Sequence, residues 1–237
     1  MTDHKNRSLK KSDSSLRKRS SAQEISAFLD AAAKADATKN GKLIFSLDAT
    51  MSRQPSWDRA MAIQSSMFDA VGRAGGLSVQ LVYFRGIDEC RASKWVVNSE
   101  ALRDLMVRIA CRGGYTQIEK VLNHASRETD RDKVGALVFI GDALEENVDK
   151  LCSLAGELGL KGVRCFFFQD GNDHIAEQAF REMARLTSGA YFRLGPDSAR
   201  ELAELLGAVA LYARGGLPAL TDSRQTGARL LLEQIKR

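Results

Sequence analysis

Apolar residues follow two rhythms along the chain. Short apolar-rich runs, Leu43 to Leu47, Leu77 to Phe84, Ala136 to Ile140 and Val163 to Phe168, have the length of strands. Between them, apolar residues recur at helical spacing. Val148, Leu151, Cys152, Ala155 and Leu158 form one such stripe, and Ile175, Ala179, Met183 and Leu186 form another. The same reading predicts helices near 22–37, 56–73, 99–110 and 116–128, and one marked by Leu202, Leu205, Leu206 and Val209. Ser21-Ala-Gln-Glu24 has the order of a capping box for the first of these, and Gly75-Gly76 closes the second. Tyr191 to Arg193 reads as a last short strand. Lys94 to Val97, after the Gly86-Ile87-Asp88-Glu89 connection, reads as an antiparallel edge strand.

Runs that are apolar at successive positions imply strands covered on both faces. The alternation of such strands with amphipathic helices predicts an α/β fold: a doubly wound, mostly parallel sheet with helices on both faces and one antiparallel edge strand. A break containing Gly215, Gly216 and Pro218 separates this body from a final stripe of Ala228, Leu231, Leu232 and Ile235. The predicted division is a basic leader at 1–20, a helix and linker at 21–40, the α/β domain at 41–214 and a C-terminal extension at 215–237.

Charge changes the picture at one place. Residues 1–20 carry seven Lys and Arg against Asp3 and Asp13, which accounts for the whole net charge of +5. A charge-balanced body disfavours nucleic acid as a partner, because such domains carry basic residues on a folded face. The leader holds too little apolar surface to offset its ordering entropy, and it lacks the apolar stretch of a secretory signal. No run approaches the roughly 20 apolar residues of a membrane span. The four cysteines, at 90, 111, 152 and 165, have no C-x-x-C spacing, which disfavours metal knuckles and redox dithiols. Reduced thiols without a signal point to the cytoplasm.

In an open parallel sheet, ligands bind beyond the carboxyl ends of the strands. The first strand ends in Asp48-Ala49-Thr50-Met51-Ser52, and the strand at 136–140 ends in Gly141-Asp142. Arg112-Gly113-Gly114-Tyr115-Thr116 is a glycine turn that opens a helix. Two carboxylates and three hydroxyls make an all-oxygen set, which suits a hard divalent cation such as magnesium. Each piece also has a plainer reading. Asp142-Ala-Leu-Glu145 and Thr116-Gln-Ile-Glu119 both have the order of capping boxes, and Ser52 before Pro55 suits a helix entry.

The D-x-T-x-S order after the first strand, the G-G-x-T turn and the strand-terminal Asp together resemble the von Willebrand factor type A (vWA) domain of bacterial cytosolic type, with its metal-ion-dependent adhesion site. The resemblance covers residues 42–213. It implies that Asp48, Thr50, Ser52, Thr116 and Asp142 hold Mg²⁺ or Mn²⁺. Thr50 stands where the family has Ser, and its hydroxyl fills the same role. Arg53, Gln54, Tyr115 and Gln117 flank these positions and are expected at the partner-binding rim. A cation held largely by neutral hydroxyls stays electrophilic and recruits an Asp or Glu from a protein partner, with an ATPase or chaperone system as the family-level expectation. A Mg-dependent phosphohydrolase is the alternative. Against it, the position two residues after Asp48 is Thr50, there is no Walker motif, and the three histidines form no triad. A nucleic-acid adaptor acting through the basic leader is the third reading.

Overall fold

The computed structural model describes residues 41–50, 52, 76–195 and 199–235. The leader, the helices expected near 22–37 and 56–73, and the positions of Arg53, Gln54 and Trp57 lie outside the described residues. Among the described residues six strands form one sheet: β1 (Gly41–Asp48), β2 (Leu77–Arg85), β3 (Glu89–Ala92), β4 (Ala136–Gly141), β5 (Arg164–Asp170) and β6 (Ala190–Leu194). Their order is β3-β2-β1-β4-β5-β6, with every pairing parallel except β2 with β3. The strand order reverses between β1 and β4, so the carboxyl ends of these two strands flank the switch point.

Helices α1 (Ser99–Val107), α2 (Ile118–Arg131), α3 (Val148–Leu160), α4 (His174–Leu186), α5 (Ala199–Thr221) and α6 (Thr226–Ile235) cover the sheet. Alternation along each strand divides the core into two layers. Leu43, Phe45, Leu47, Val138, Ile140, Phe166 and Phe168 pack with Leu102 and Met106 of α1, Leu205 and Val209 of α5, and Leu231 of α6. Ile44, Leu137, Phe139 and Phe167 face the other way, onto Val121 and Leu122 of α2, Leu151 of α3 and Phe180 of α4. Both faces are therefore filled, as the unbroken apolar runs require. Each fully buried large side chain of this kind contributes about 1.5–3 kcal/mol of transfer free energy.

The edge strand begins earlier than the expected Lys94–Val97. Gly86 takes a left-handed φ of 63°, so the chain reverses within three residues and β3 starts pairing at Glu89. Arg85 and Glu89 clamp this turn, with Arg85 Nε 3.0 Å from Glu89 Oε2, and the guanidinium holds that carboxyl below its usual range. The 94–97 stretch keeps only the isolated antiparallel bridge between Val96 and Val79.

The break expected at 215–218 is a kink at Gly216, with φ 65° and ψ −159°, where a side chain would strain the backbone. After it, α6 docks on the domain through buried Ala228 and Leu231. All four cysteines are free. Cys165 sits in the core as a small apolar residue, where burial pushes its thiol up to about 12. Among the described residues no helix is long and apolar enough to cross a membrane.

Candidate functional site

The crevice at the switch point is built from three segments. In the first, β1 ends at buried Asp48, and the chain folds back so that Asp48 Oδ1 accepts a hydrogen bond from Thr50 N at 2.8 Å. This turn brings the Thr50 and Ser52 hydroxyls to 3.1 Å from one another. In the second, Leu47 lies opposite Ile140 in the β1–β4 register, so the next residues along are Asp48 and Gly141. A methyl group on Gly141 would come 3.7 Å from Asp48 Cβ and 2.6 Å from the Phe139 ring. The strand ends are in close contact, and Asp142 follows directly. Its Oδ1 is buried and has no hydrogen-bond partner. Ser46 Oγ, two residues before Asp48, is in the same condition.

The third segment is the glycine turn, held against the other two by backbone bonds. Arg112 N donates to Ala49 O at 3.0 Å and Tyr115 N donates to Gly86 O at 3.2 Å. A side chain on Gly114 would fall 1.9 Å from Gly86 O, so only glycine allows this approach. Thr116 is thereby carried to the β4–α3 loop. Its N–H donates to Glu145 Oε2 at 2.9 Å, and its Oγ1 accepts from Glu145 N at 3.2 Å.

Neither capping box forms. Helix α2 starts after Gln117, whose side chain caps nothing, and α3 starts after Asn147, whose Oδ1 accepts from Lys150 N at 2.9 Å. The N-terminus of α2 is capped instead from a distant part of the chain. Glu146 accepts from Ile118 N at 2.6 Å and from Glu119 N at 2.8 Å, placing a carboxylate on the positive end of the helix. Thr116 and Asp142 are thus free of the local roles that the sequence allowed them. Glu145 was expected only as the capping partner of Asp142, and Glu146 was not expected to take part at all. The only available signal was a pair of acids just after a strand-terminal Asp, and that pattern does not say what they bind.

Of the expected rim residues only Tyr115 and Gln117 are among those described, and Gln117 differs from expectation. Tyr115 is 62% exposed, in keeping with a rim residue, but Gln117 is only 5% exposed. Its Nε2 donates to Arg85 O and Gly86 O at 3.3 and 3.4 Å, and its Oε1 accepts from Lys120 Nζ at 2.8 Å. Gln117 ties α2 to the β2–β3 turn and leaves no polar group for a partner, because the backbone carbonyls of that turn need its donors. Ile87 is instead an exposed residue beside the turn, at 81%.

Among the described residues no group of three or more His, Cys, Asp and Glu converges. The crevice offers two carboxylates with hydroxyls, which is oxygen chemistry alone. Asp142 Oδ1 is a buried acceptor that lacks a donor, and a cation meets that need. On this observation the donor set fits a hard divalent ion. His124 is committed elsewhere, with Nε2 2.8 Å from Gln80 Oε1 and burial lowering its pKa.

Solved structures share this architecture. The chain superposes on a vWA protein from Catenulispora acidiphila with a TM-score of 0.60 over 75% of this chain and 43% of that one, at 14% identity. This is the vWA fold. It also matches the SpRpn10 vWA domain, with a TM-score of 0.57 over 69% of this chain and 94% of that one, at 10% identity. An aerotolerance-related membrane protein from Bacteroides fragilis gives 0.57 over 72% and 98%, at 17% identity. No protein-family model and no curated protein matches the sequence. At these identities the vWA likeness is one of fold, so the chemistry rests on the crevice itself.

Proposed function

We propose that this vWA-fold domain is a protein-interaction module whose binding depends on a divalent cation, Mg²⁺ or Mn²⁺. Asp48, Thr50, Ser52, Thr116 and Asp142 would hold the ion. The observation that carries the reading is the buried, unpartnered Asp142 Oδ1, one residue past the Gly141 that packs against Asp48 at the switch point. When bound, the cation supplies a positive centre that attracts an anionic oxygen. The residues of the chain do the rest. The Thr50–Ser52 hydroxyl pair presents neutral oxygens, and the Asp48–Thr50 turn holds that pair in place. Glu145 and Glu146 anchor Thr116 through the α2 N-terminus. Two carboxylates balance the ion's charge, the other donors are neutral hydroxyls, and an Asp or Glu of a protein partner would add a strong anionic oxygen at a position these residues leave open. Tyr115 would select that partner from the rim, together with Arg53 and Gln54, which follow Ser52 in sequence.

The test is a pull-down by the parent and by Asp48→Ala, with circular dichroism confirming that both are folded. Partners captured by the parent should be lost with a chelator and return with magnesium or manganese, and Asp48→Ala should capture none of them. Retention of the same partners in the presence of chelator overturns the metal bridge. Thr116→Ala should weaken capture without unfolding the domain. Turnover of a phosphate ester by the parent but not by Asp48→Ala would favour the phosphohydrolase instead.

A further inference from the structure

A second polar hollow lies away from the crevice. A cavity of about 500 Å³ sits between the flank of α2 and the edge strand β3, lined in part by Cys90, Arg91, Ala92, Lys120, His124 and Arg127. Three of these side chains are cationic, and no carboxylate lines the cavity among the described residues. Arg91 is engaged by Glu89, and Lys120 by Asp88 and Gln117. Arg127 is exposed and forms no ion pair among the described residues.

The other wall of this hollow is formed by residues of β3. Among the described residues β3 is the last strand of the sheet, and Val82 lies opposite Ala92 and Phe84 opposite Cys90 in its ladder with β2. Ser93 N donates to Leu81 O at 2.8 Å, which sets the phase of that ladder. By the alternation of an antiparallel pair, Tyr83–Arg91 and Arg85–Glu89 are then the hydrogen-bonded positions. The N–H and C=O groups of Cys90 and Ala92 therefore point outward, away from β2. An edge of this kind is a template for one more strand.

We propose that β3 and the groove beside α2 bind an acidic peptide in extended conformation, added to the sheet beyond β3. Its backbone pairs with Cys90 and Ala92, and side chains from one of its faces enter the groove toward Lys120 and Arg127. The spread of the cations favours a peptide over a compact anion. Lys120 and Arg127 are seven residues apart on α2, about 10 Å along its axis. Side chains on one face of a strand repeat every ~7 Å, so acidic residues two or four apart span that interval with the reach of the Lys and Arg side chains. A single phosphate needs its cations to converge on one point.

Fluorescence anisotropy on the full 237-residue chain tests this. EDTA is present, so that the cation site proposed above contributes nothing and the two readings fail separately. The probe is a labelled heptapeptide of alternating Glu and Val, compared with its Lys and Val counterpart. The acidic peptide should bind, more weakly as salt rises, and the basic one should not. Arg127→Glu should weaken binding by about tenfold or more. Ala92→Pro removes an outward N–H and leaves the bonds to β2 in place, so it should cost a similar factor with circular dichroism unchanged. If Ala92→Pro fails to fold, the same test is run on the probe: N-methylation of alternate peptide bonds along the pairing edge must abolish binding. The proposal is overturned if the acidic peptide does not bind, or if it binds equally well to Arg127→Glu. It is also overturned if binding survives the loss of backbone pairing, or if equimolar inorganic phosphate displaces the peptide, which would mark a small-anion site.

Discussion

Thr187 and Thr116 are both buried threonines outside the strands, and their surroundings are opposite in kind. The Thr187 hydroxyl accepts from Cys165 N at 3.1 Å and faces the carbonyls of Met183 and Ala184 at 2.9 and 3.0 Å. Nearby on β5, buried Gln169 donates to Asp173 O at 2.7 Å and accepts from Tyr191 Oη at 2.6 Å. In the β5–α4–β6 region these buried polar groups are answered. In the crevice, Thr116 Oγ1 accepts one bond at 3.2 Å and Asp142 Oδ1 has none, and Ser46 Oγ, two residues before Asp48 on β1, also has none. Buried polar groups without partners cost about 1–3 kcal/mol each, so a fold keeps them only where something else uses them. One region answers its own buried polar groups, and the other leaves two of them unanswered at and near the site proposed for the cation.

The comparison breaks most visibly in binding. Capture of a partner should disappear entirely in Asp48→Ala and persist in Thr187→Val; loss in both would mean that the two regions do not differ in function. Next in size is the response to metal. A cation at about 100 times its dissociation constant adds roughly 2.7 kcal/mol. For a chain of this size that is on the order of 5–10 °C in melting temperature. Differential scanning fluorimetry with magnesium or manganese should show this rise in the parent, and its absence would sink the metal site. Asp142→Asn should lose the rise, and Thr187→Val should keep it.

Thr187→Val leaves the buried Cys165 N–H without its acceptor and should lower metal-free stability by about 1–3 kcal/mol in urea unfolding. An unchanged midpoint would show that this region is not held as described. Glu146→Gln keeps the size of the α2 cap and removes its charge. It should cost about 1 kcal/mol and weaken magnesium affinity, because Thr116 is positioned through that helix end. If affinity stays at the parental value, Glu146 serves the helix alone. The smallest effect is expected from Asp142→Asn without metal. Removing one of two neighbouring carboxylates should raise stability by a few tenths of a kcal/mol, whereas a loss of stability would contradict charge repulsion between Asp48 and Asp142.

The strands were legible within one or two residues, except at the edge. There the helical and strand periods that mark Leu43–Leu47 or Val148–Leu158 are missing, and a three-residue turn at Gly86 decided the pairing. The site was legible as a set of oxygen-bearing residues after two strand ends. What was not legible was that neither Thr116 nor Asp142 is taken up by a local capping box. Thr116 and Glu145 lie 29 residues apart, and Glu146 reaches Ile118 across 28. A capping box is a local pattern, and these caps are tertiary. Gln117 was misplaced for the same reason, since the carbonyls that bury it belong to the β2–β3 turn.

By itself, the sequence determined the alternation of strands and helices, the coverage of both sheet faces and the candidate donors, because apolar period and residue chemistry are local properties of the chain. The tertiary structure alone decided that β1 and β4 are neighbours at the point where strand order reverses, that Asp142 keeps a buried oxygen without a donor, and that α6 closes onto the sheet. Those facts depend on which distant segments come into contact. The free energy that selects the contacts is summed over the whole core, so it cannot be read from any one stretch of the chain.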